Sequence, residues 1–312
     1  MNGRADSKFK IYHSKLTILT PYSLVLLRKI LDLVLYGNFF IAFCAVAMLL
    51  QTELLLFDVL QWNYLTTFVF AATLFLYALH RIVGMEKVKP FAEKYRYAII
   101  TKYQHHILFY AIVGALVAAY FFFSLCFQNQ LLIVLPALLS LGYVVPFFGK
   151  NRRLRDFDYI KIFLIAIVWA FITVILPVVE RKGWAVSVSD ILLCIERSLF
   201  IFAITVPFDI RDLKVDQHIQ VKTIPSIIGI EKSKLLAGLL LVFAFIIASL
   251  LYFLTVYNVY ILTALGLSYL STYLLITYSD KTANDYFFTG IMDGTMLIQF
   301  LLVLAFYWLS NF

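Results

Sequence analysis

The chain has 312 residues, of which 63% are hydrophobic and 14% charged, and its formal net charge is +8. Mean hydropathy is +0.91, and soluble globular proteins carry roughly a quarter charged residues. This composition excludes a soluble enzyme, a disordered chain and a disulfide-stapled secreted domain, because so little polar surface cannot cover so much apolar chain. It points to an all-α, multi-pass integral membrane protein.

In chain order, residues 1–30 read as a cytoplasmic N-terminal and interfacial segment, with the short run 17–27 lying at the membrane surface. The start MNGRADSKFKIYHSK lacks the pattern of a removable signal peptide, so the first span is expected to direct insertion. Residues 31–312 read as one membrane domain, because no loop is long enough for a second one. Its predicted spans are 31–51, 60–80, 107–127, 131–149, 160–179, 187–208, 235–256, 259–279 and 286–309. The runs are continuous rather than alternating, which argues against a β-barrel. Cys44, Cys126 and Cys194 lie singly in apolar surroundings and read as small core residues.

Lys and Arg set the expected orientation. Of 26, six precede the first span, six follow the second, five the fourth, five the sixth and one the eighth. The opposite side holds only Arg181 and Lys182, and Arg197 lies within the sixth span. An N-terminus in the cytoplasm follows, in a membrane such as the bacterial inner membrane. The basic face reads either as this topological bias, with attraction to anionic membrane lipid, or as an electropositive mouth for an anion such as a diphosphate. Nucleic acid is not an expected partner, since no soluble domain exists to present a reading element.

One segment carries chemistry. In PFDIRDLKVDQHIQVKTIPSIIGIEK, Asp209, Asp212 and Asp216 are spaced i, i+3, i+7. On a helix they share a face, where three like charges repel unless a cation lies among them. Oxygen-only donors suit Mg²⁺, which binds substrate phosphates through one or two carboxylates. Lys222, six residues further on, would add a point charge. The same spacing also suits a solvated acidic face paired to Arg211 or Lys214, or a cation-transport site.

The segment resembles the second aspartate-rich motif of the UbiA superfamily of intramembrane prenyltransferases. It has Asp209-Ile-Arg-Asp212-Leu-Lys-Val-Asp216 and then Lys222-Thr223-Ile224-Pro225. Tyr143-Val-Val-Pro146, followed by Lys150, Arg152, Arg153 and Arg155, is similar to that family's connection between helices 4 and 5. The resemblance implies about nine transmembrane helices in a UbiA-like bundle around a central cavity open to the cytoplasm. It also implies transfer of a prenyl group from an isoprenoid diphosphate to a hydrophobic or aromatic acceptor, aided by Mg²⁺. On that pattern Asp209, Asp212 and Asp216 hold metal and diphosphate, while Lys222, Tyr143 and Arg153 face the substrate.

The family's first motif, NxxxDxxxD, is absent. At the equivalent helix end stand His80, Arg81, Val83 and Lys87, with Glu86 and Glu93 the acids nearby. One expectation is that His80, Arg81 and Lys87 replace a metal with fixed positive charge. A second is that ionisation is lost and the fold only binds an isoprenoid or other lipid. A secondary transporter is a third, disfavoured by charges clustered at one face. Asp293 reads either as a cavity group or as an ion-pair partner of Arg197, the latter being preferred. Asn38 is expected to bond a neighbouring helix, His105 and His106 to lie at the interface, and Pro207 to bend or end the sixth span.

Overall fold

The computed structural model describes residues 21–84, 95–147, 152–282 and 284–311, and all regular elements there are helical. The chain is a multi-pass integral membrane protein: nine helices among the described residues are long and apolar enough to cross a bilayer. They are α2 (Phe39–Phe57), α3 (Tyr64–Gly84), α5 (Gln104–Phe122), α6 (Phe127–Val144), the run Ile160–Lys182, α9 (Val188–His218), α11 (Ile230–Phe253), the run Val259–Lys281 and the run Phe287–Ser310. Shorter helices are α1 (Pro21–Tyr36), α4 (Tyr95–Lys102) and α10 (Ile224–Ile228).

The first predicted span starts late because the chain breaks between α1 and α2. Asn38 there adopts φ 69°, a left-handed conformation that an asparagine tolerates and a helix does not. Its side chain is buried with neither amide atom hydrogen-bonded, so the interhelical bond expected of it does not form. His105 and His106 are exposed, as expected of interface residues.

Pro207 neither ends nor shortens its helix. Val188–His218 runs unbroken for 31 residues, about 46 Å at 1.5 Å per residue, well beyond the roughly 30 Å of hydrocarbon in a bilayer. Asp190 lies in the first turn of this helix. The Ser187 hydroxyl accepts from the Asp190 amide at 3.3 Å, and the Ser187 amide donates to the Asp190 carboxylate at 2.8 Å, a reciprocal cap that satisfies two orphan donors. Lys182 joins the same carboxylate at 2.8 Å.

The apolar core is centred on α9, which packs against α7 (Ile160–Ala170) and α11, while α2 packs against α3 and α13 (Asp293–Ser310). Two helices contain π-helical stretches: Phe171–Ile175 joins α7 to α8 (Leu176–Lys182), and Phe287–Met292 leads into α13. Such stretches are frequent at functional sites. Gly114 lets α5 approach α3, since a Cβ there would stand 3.0 Å from the Ala71 carbonyl oxygen. α12 (Val259–Tyr278) completes the bundle against α11 and α13.

Two buried polar groups tie α9 down. Arg197 donates to the Met48 carbonyl at 2.8 Å and to the Thr173 hydroxyl at 3.3 Å, and Glu196 accepts from the Tyr269 hydroxyl. The expected Arg197–Asp293 ion pair does not form: Arg197 is occupied by oxygens of α2 and the π-helical stretch, and Asp293 lines a cavity instead. Large apolar side chains such as Phe123, Phe127 and Phe253 stand on the outer surface, where lipid rather than water meets them.

Candidate active site in the central cavity

A cavity of about 350 Å³ opens between α2, α3, α6, α7, α9 and α13. Its deep part is apolar and aromatic, with Tyr77, Leu164, Ile165 and Trp169 on the walls. The Tyr77 and Trp169 rings meet edge to face, centroids 6.5 Å apart. The other end is crowded with charge, drawn from four places in the sequence. α3 supplies His80 and Arg81, the segment after α6 supplies Arg153 and Arg155, α7 supplies Lys161, and α9 supplies Arg211, Asp212 and Asp216.

The three aspartates lie on one face of the overlong end of α9, as their spacing predicts, and each meets a cation. The Lys161 ammonium stands 2.7 Å from Asp209 and 3.3 Å from Asp216. All three are buried, with exposures of 6%, 1% and 2%. Asp212 receives a two-pronged contact from Arg211, with Nε at 2.9 Å and Nη2 at 3.0 Å. The Arg211 guanidinium also lies over the Phe208 and Phe288 rings.

The opposite wall is basic. Arg155 packs over the Tyr143 ring at 5.3 Å, and its Nη1 stands 2.6 Å from His80 Nε2. The His80 ring also lies tilted against that of Tyr143, at a centroid distance of 5.7 Å. Burial works against the charge on Arg155, but Tyr143, Asp216, Asp212 and Asp156 outweigh it and hold the guanidinium above its ordinary range. Arg153 is fastened to Asp156 at 2.9 Å. The close approach of this segment to α6 depends on Gly142, where a Cβ would stand 2.8 Å from a Leu154 methyl. Arg81 donates to the Leu35 carbonyl and covers the Tyr36 ring.

Two of these half-buried guanidinium groups have shielded donors that are unmet. Arg155 Nε and Arg211 Nη1 are shielded from water and have no acceptor. Buried N–H groups are almost always hydrogen-bonded, and charged ones are costlier to leave unmet. The wall is therefore short of acceptor oxygens.

Of the residues singled out in the sequence, His80, Arg81, Tyr143, Arg153, Asp212 and Asp216 line this cavity, and Asp209 lies behind Lys161. Lys87 falls outside the described residues. Lys222 does not come to the cavity. It is exposed, and its backbone pins the loop before α7 by bonds to the Asp158 carboxylate and the Tyr159 amide. Sequence reasoning missed Lys161, Arg155 and Arg211 as site residues: Lys161 counted only as topological charge, Arg155 also as part of the stretch similar to the family's connection, and Arg211 as a pairing partner of the aspartates. The aromatic pair Tyr77 and Trp169 was not assigned to the cavity, and for Asp293 the cavity was the less favoured of two readings.

The UbiA resemblance implies Mg²⁺ among the aspartates. The donors do not fit it as they stand. Among the described residues no group of three His, Cys, Asp or Glu side chains could hold a metal ion. A lysine already lies between Asp209 and Asp216, and both oxygens of Asp212 face Arg211.

No protein-family model matches the sequence, and no curated protein matches it. The fold, in contrast, matches solved structures over most of the chain. It is similar to a structure of digeranylgeranylglyceryl phosphate synthase in membranes (TM-score 0.54, 14% identity, 88% of this chain and 97% of that one). It is also similar to a UbiA homologue from Archaeoglobus fulgidus bound to GPP and Mg²⁺ (TM-score 0.57, 12% identity, 88% and 97%). With DMAPP and Mg²⁺ bound, that homologue gives a TM-score of 0.56 at 11% identity, over 88% and 98% of the two chains. The chain thus has a UbiA-type fold, an all-helical membrane bundle around a cavity.

Proposed function

We propose that this chain is a membrane prenyltransferase that takes an isoprenoid diphosphate into the central cavity and passes the prenyl group to a hydrophobic or aromatic acceptor. The observation that carries the reading is the joining of two environments in one cavity. Its deep walls are apolar and aromatic, and its charged end holds two half-buried guanidinium groups whose shielded N–H donors are unmet. An amphiphile with an oxygen-rich anionic head and a hydrocarbon tail satisfies both ends. In the Archaeoglobus structures GPP and DMAPP are bound with Mg²⁺. In this chain side-chain cations stand among the carboxylates, and the reading rests on them.

The diphosphate would lie against Arg155, Arg211 and Lys161, with Arg153 and Arg81 behind, and the tail would run towards Trp169. In the transfer, the bond between the allylic carbon and the diphosphate oxygen breaks, and its electron pair leaves with the diphosphate. Fixed cations at the head stabilise the charge that gathers there. The face of Tyr77, one turn before His80 on α3, stabilises the allylic cation. A nucleophilic atom of the acceptor supplies the electron pair of the new bond, and the proton that the acceptor loses passes to the departing diphosphate. The mouth faces the cytoplasm in this reading, as the placement of Lys and Arg suggests.

A second reading has its own support. The acidic cluster that the family resemblance leads one to expect on α3 is missing, and His80 at that position faces Arg155. On that ground the cavity binds an isoprenoid diphosphate without ionising it. The test of both is binding of geranyl, farnesyl and geranylgeranyl diphosphate to the purified chain in detergent, followed by pyrophosphate release with a phenolic acceptor present. Binding with release supports the transferase, binding without release supports the binder, and absence of binding overturns both.

A further inference from the structure

We propose that Lys161 takes the place of the divalent ion in this site, so that the cavity holds an isoprenoid diphosphate without a metal. The proposal rests on the reading that such a diphosphate is the cavity's ligand, and it deepens that reading by assigning the cation.

The geometry is that of an ion between carboxylates. The Lys161 ammonium reaches Asp209 at 2.7 Å and Asp216 at 3.3 Å, from a helix other than theirs. A Mg²⁺ ion taking these oxygens would have to expel the ammonium. Lys161 is 6% exposed, and no other carboxylate of the described residues forms an ion pair with it. Stranding a buried charge by removing its partner is strongly destabilising. Mg²⁺ also demands a near-octahedral shell and keeps several waters. Asp212 would have to leave a two-pronged guanidinium contact to join that shell.

The opposite wall tells the same story. Where a second carboxylate cluster would face the first, the chain presents His80 against Arg155. Among the unmet groups at the cavity are the donors Arg155 Nε and Arg211 Nη1. Phosphate oxygens are their natural partners, and they need no bridging ion to meet them. Asp209 and Asp216 then act to hold the Lys161 ammonium charged and aimed at the diphosphate, while Lys161 itself touches the ligand.

The test compares binding of geranylgeranyl diphosphate to the purified full-length chain in excess EDTA and in millimolar Mg²⁺. The expected result is affinities equal within about twofold in the two buffers, and no saturable heat when Mg²⁺ alone is titrated. Lys161→Ala, which frees both carboxylates, is expected to weaken binding in EDTA by about tenfold or more and to regain much of it in Mg²⁺. Lys161→Arg keeps a cation in place and is expected to remain indifferent to EDTA. Should the alanine variant not fold, the two-buffer comparison on the unaltered chain decides alone. A loss of about tenfold or more in EDTA for the unaltered chain overturns the proposal and leaves the diphosphate reading standing. Absence of binding in both buffers overturns the diphosphate reading, and the proposal with it.

Discussion

A guanidinium with a shielded N–H that meets no oxygen is an unmet demand, and Arg155 and Arg211 on the cavity wall are such groups. Arg155 is the more telling, because its neighbours keep it charged in spite of burial. Arg155→Leu is therefore expected to weaken geranylgeranyl diphosphate binding by about tenfold or more, since charge-assisted hydrogen bonds are the strong ones. Arg155→Lys should recover only part of the loss, because a point charge cannot reproduce the planar fork. At the other end of the cavity, Trp169 fills the space into which a tail would lengthen. Trp169→Ala is expected to shift preference towards longer prenyl chains, read as the ratio of affinities for the geranyl, farnesyl and geranylgeranyl compounds. A ratio that does not move would place the tail elsewhere.

The elements hold these residues in place, and each fixing can be broken singly. Ser187 caps α9, and Ser187→Ala is expected to cost about 1 kcal/mol of stability, seen as a lower thermal midpoint in detergent. Gly114→Leu should cost about 1–3 kcal/mol by forcing apart α3 and α5, and it should also weaken ligand binding because α3 carries His80 and Arg81. The helices themselves were legible in the sequence, because a run of some twenty apolar residues is a local signal. So was the acidic face of α9, since the spacing of Asp209, Asp212 and Asp216 is local too. Helix ends were less legible. The left-handed turn at Asn38 moved one boundary, and Pro207, which by local rule should have ended a helix, is carried within a packed one. Least legible was the partner of the acidic face. Lys161 and Asp216 are 55 residues apart, and only the packing of α7 on α9 brings them together. The same reason misplaced Lys222, which is near the motif in sequence but outside the cavity in space.

For the molecule as a whole, the bias of Lys and Arg predicts which end faces the cytoplasm. Cys126 tests it, lying between α5 and α6 at the end away from the basic loops. A membrane-impermeant maleimide is expected to label Cys126 in intact cells, and Cys126→Ser to abolish that labelling. Labelling of Cys126 only after permeabilisation would reverse the orientation. Burial pushes its thiol up, and the thiolate is what reacts. At neutral pH the reaction should therefore be slower than that of a free cysteine, and it should still be climbing with pH where a free thiol, with a pKa of about 8.5, levels off.

The overlong α9 has a further consequence under the proposed transfer. By carrying the aspartates past the hydrocarbon, it puts the reacting bond at a phase boundary rather than in either phase. Before the reaction, one covalent bond obliges the head and the tail to stay together at that boundary. Once the bond is cut, each product is free to enter its own solvent, the diphosphate into water and the prenylated acceptor into lipid. Recombination would require both to return to the boundary together. The partition of the two products between water and lipid, and no gate in the fold, would then draw the reaction forward.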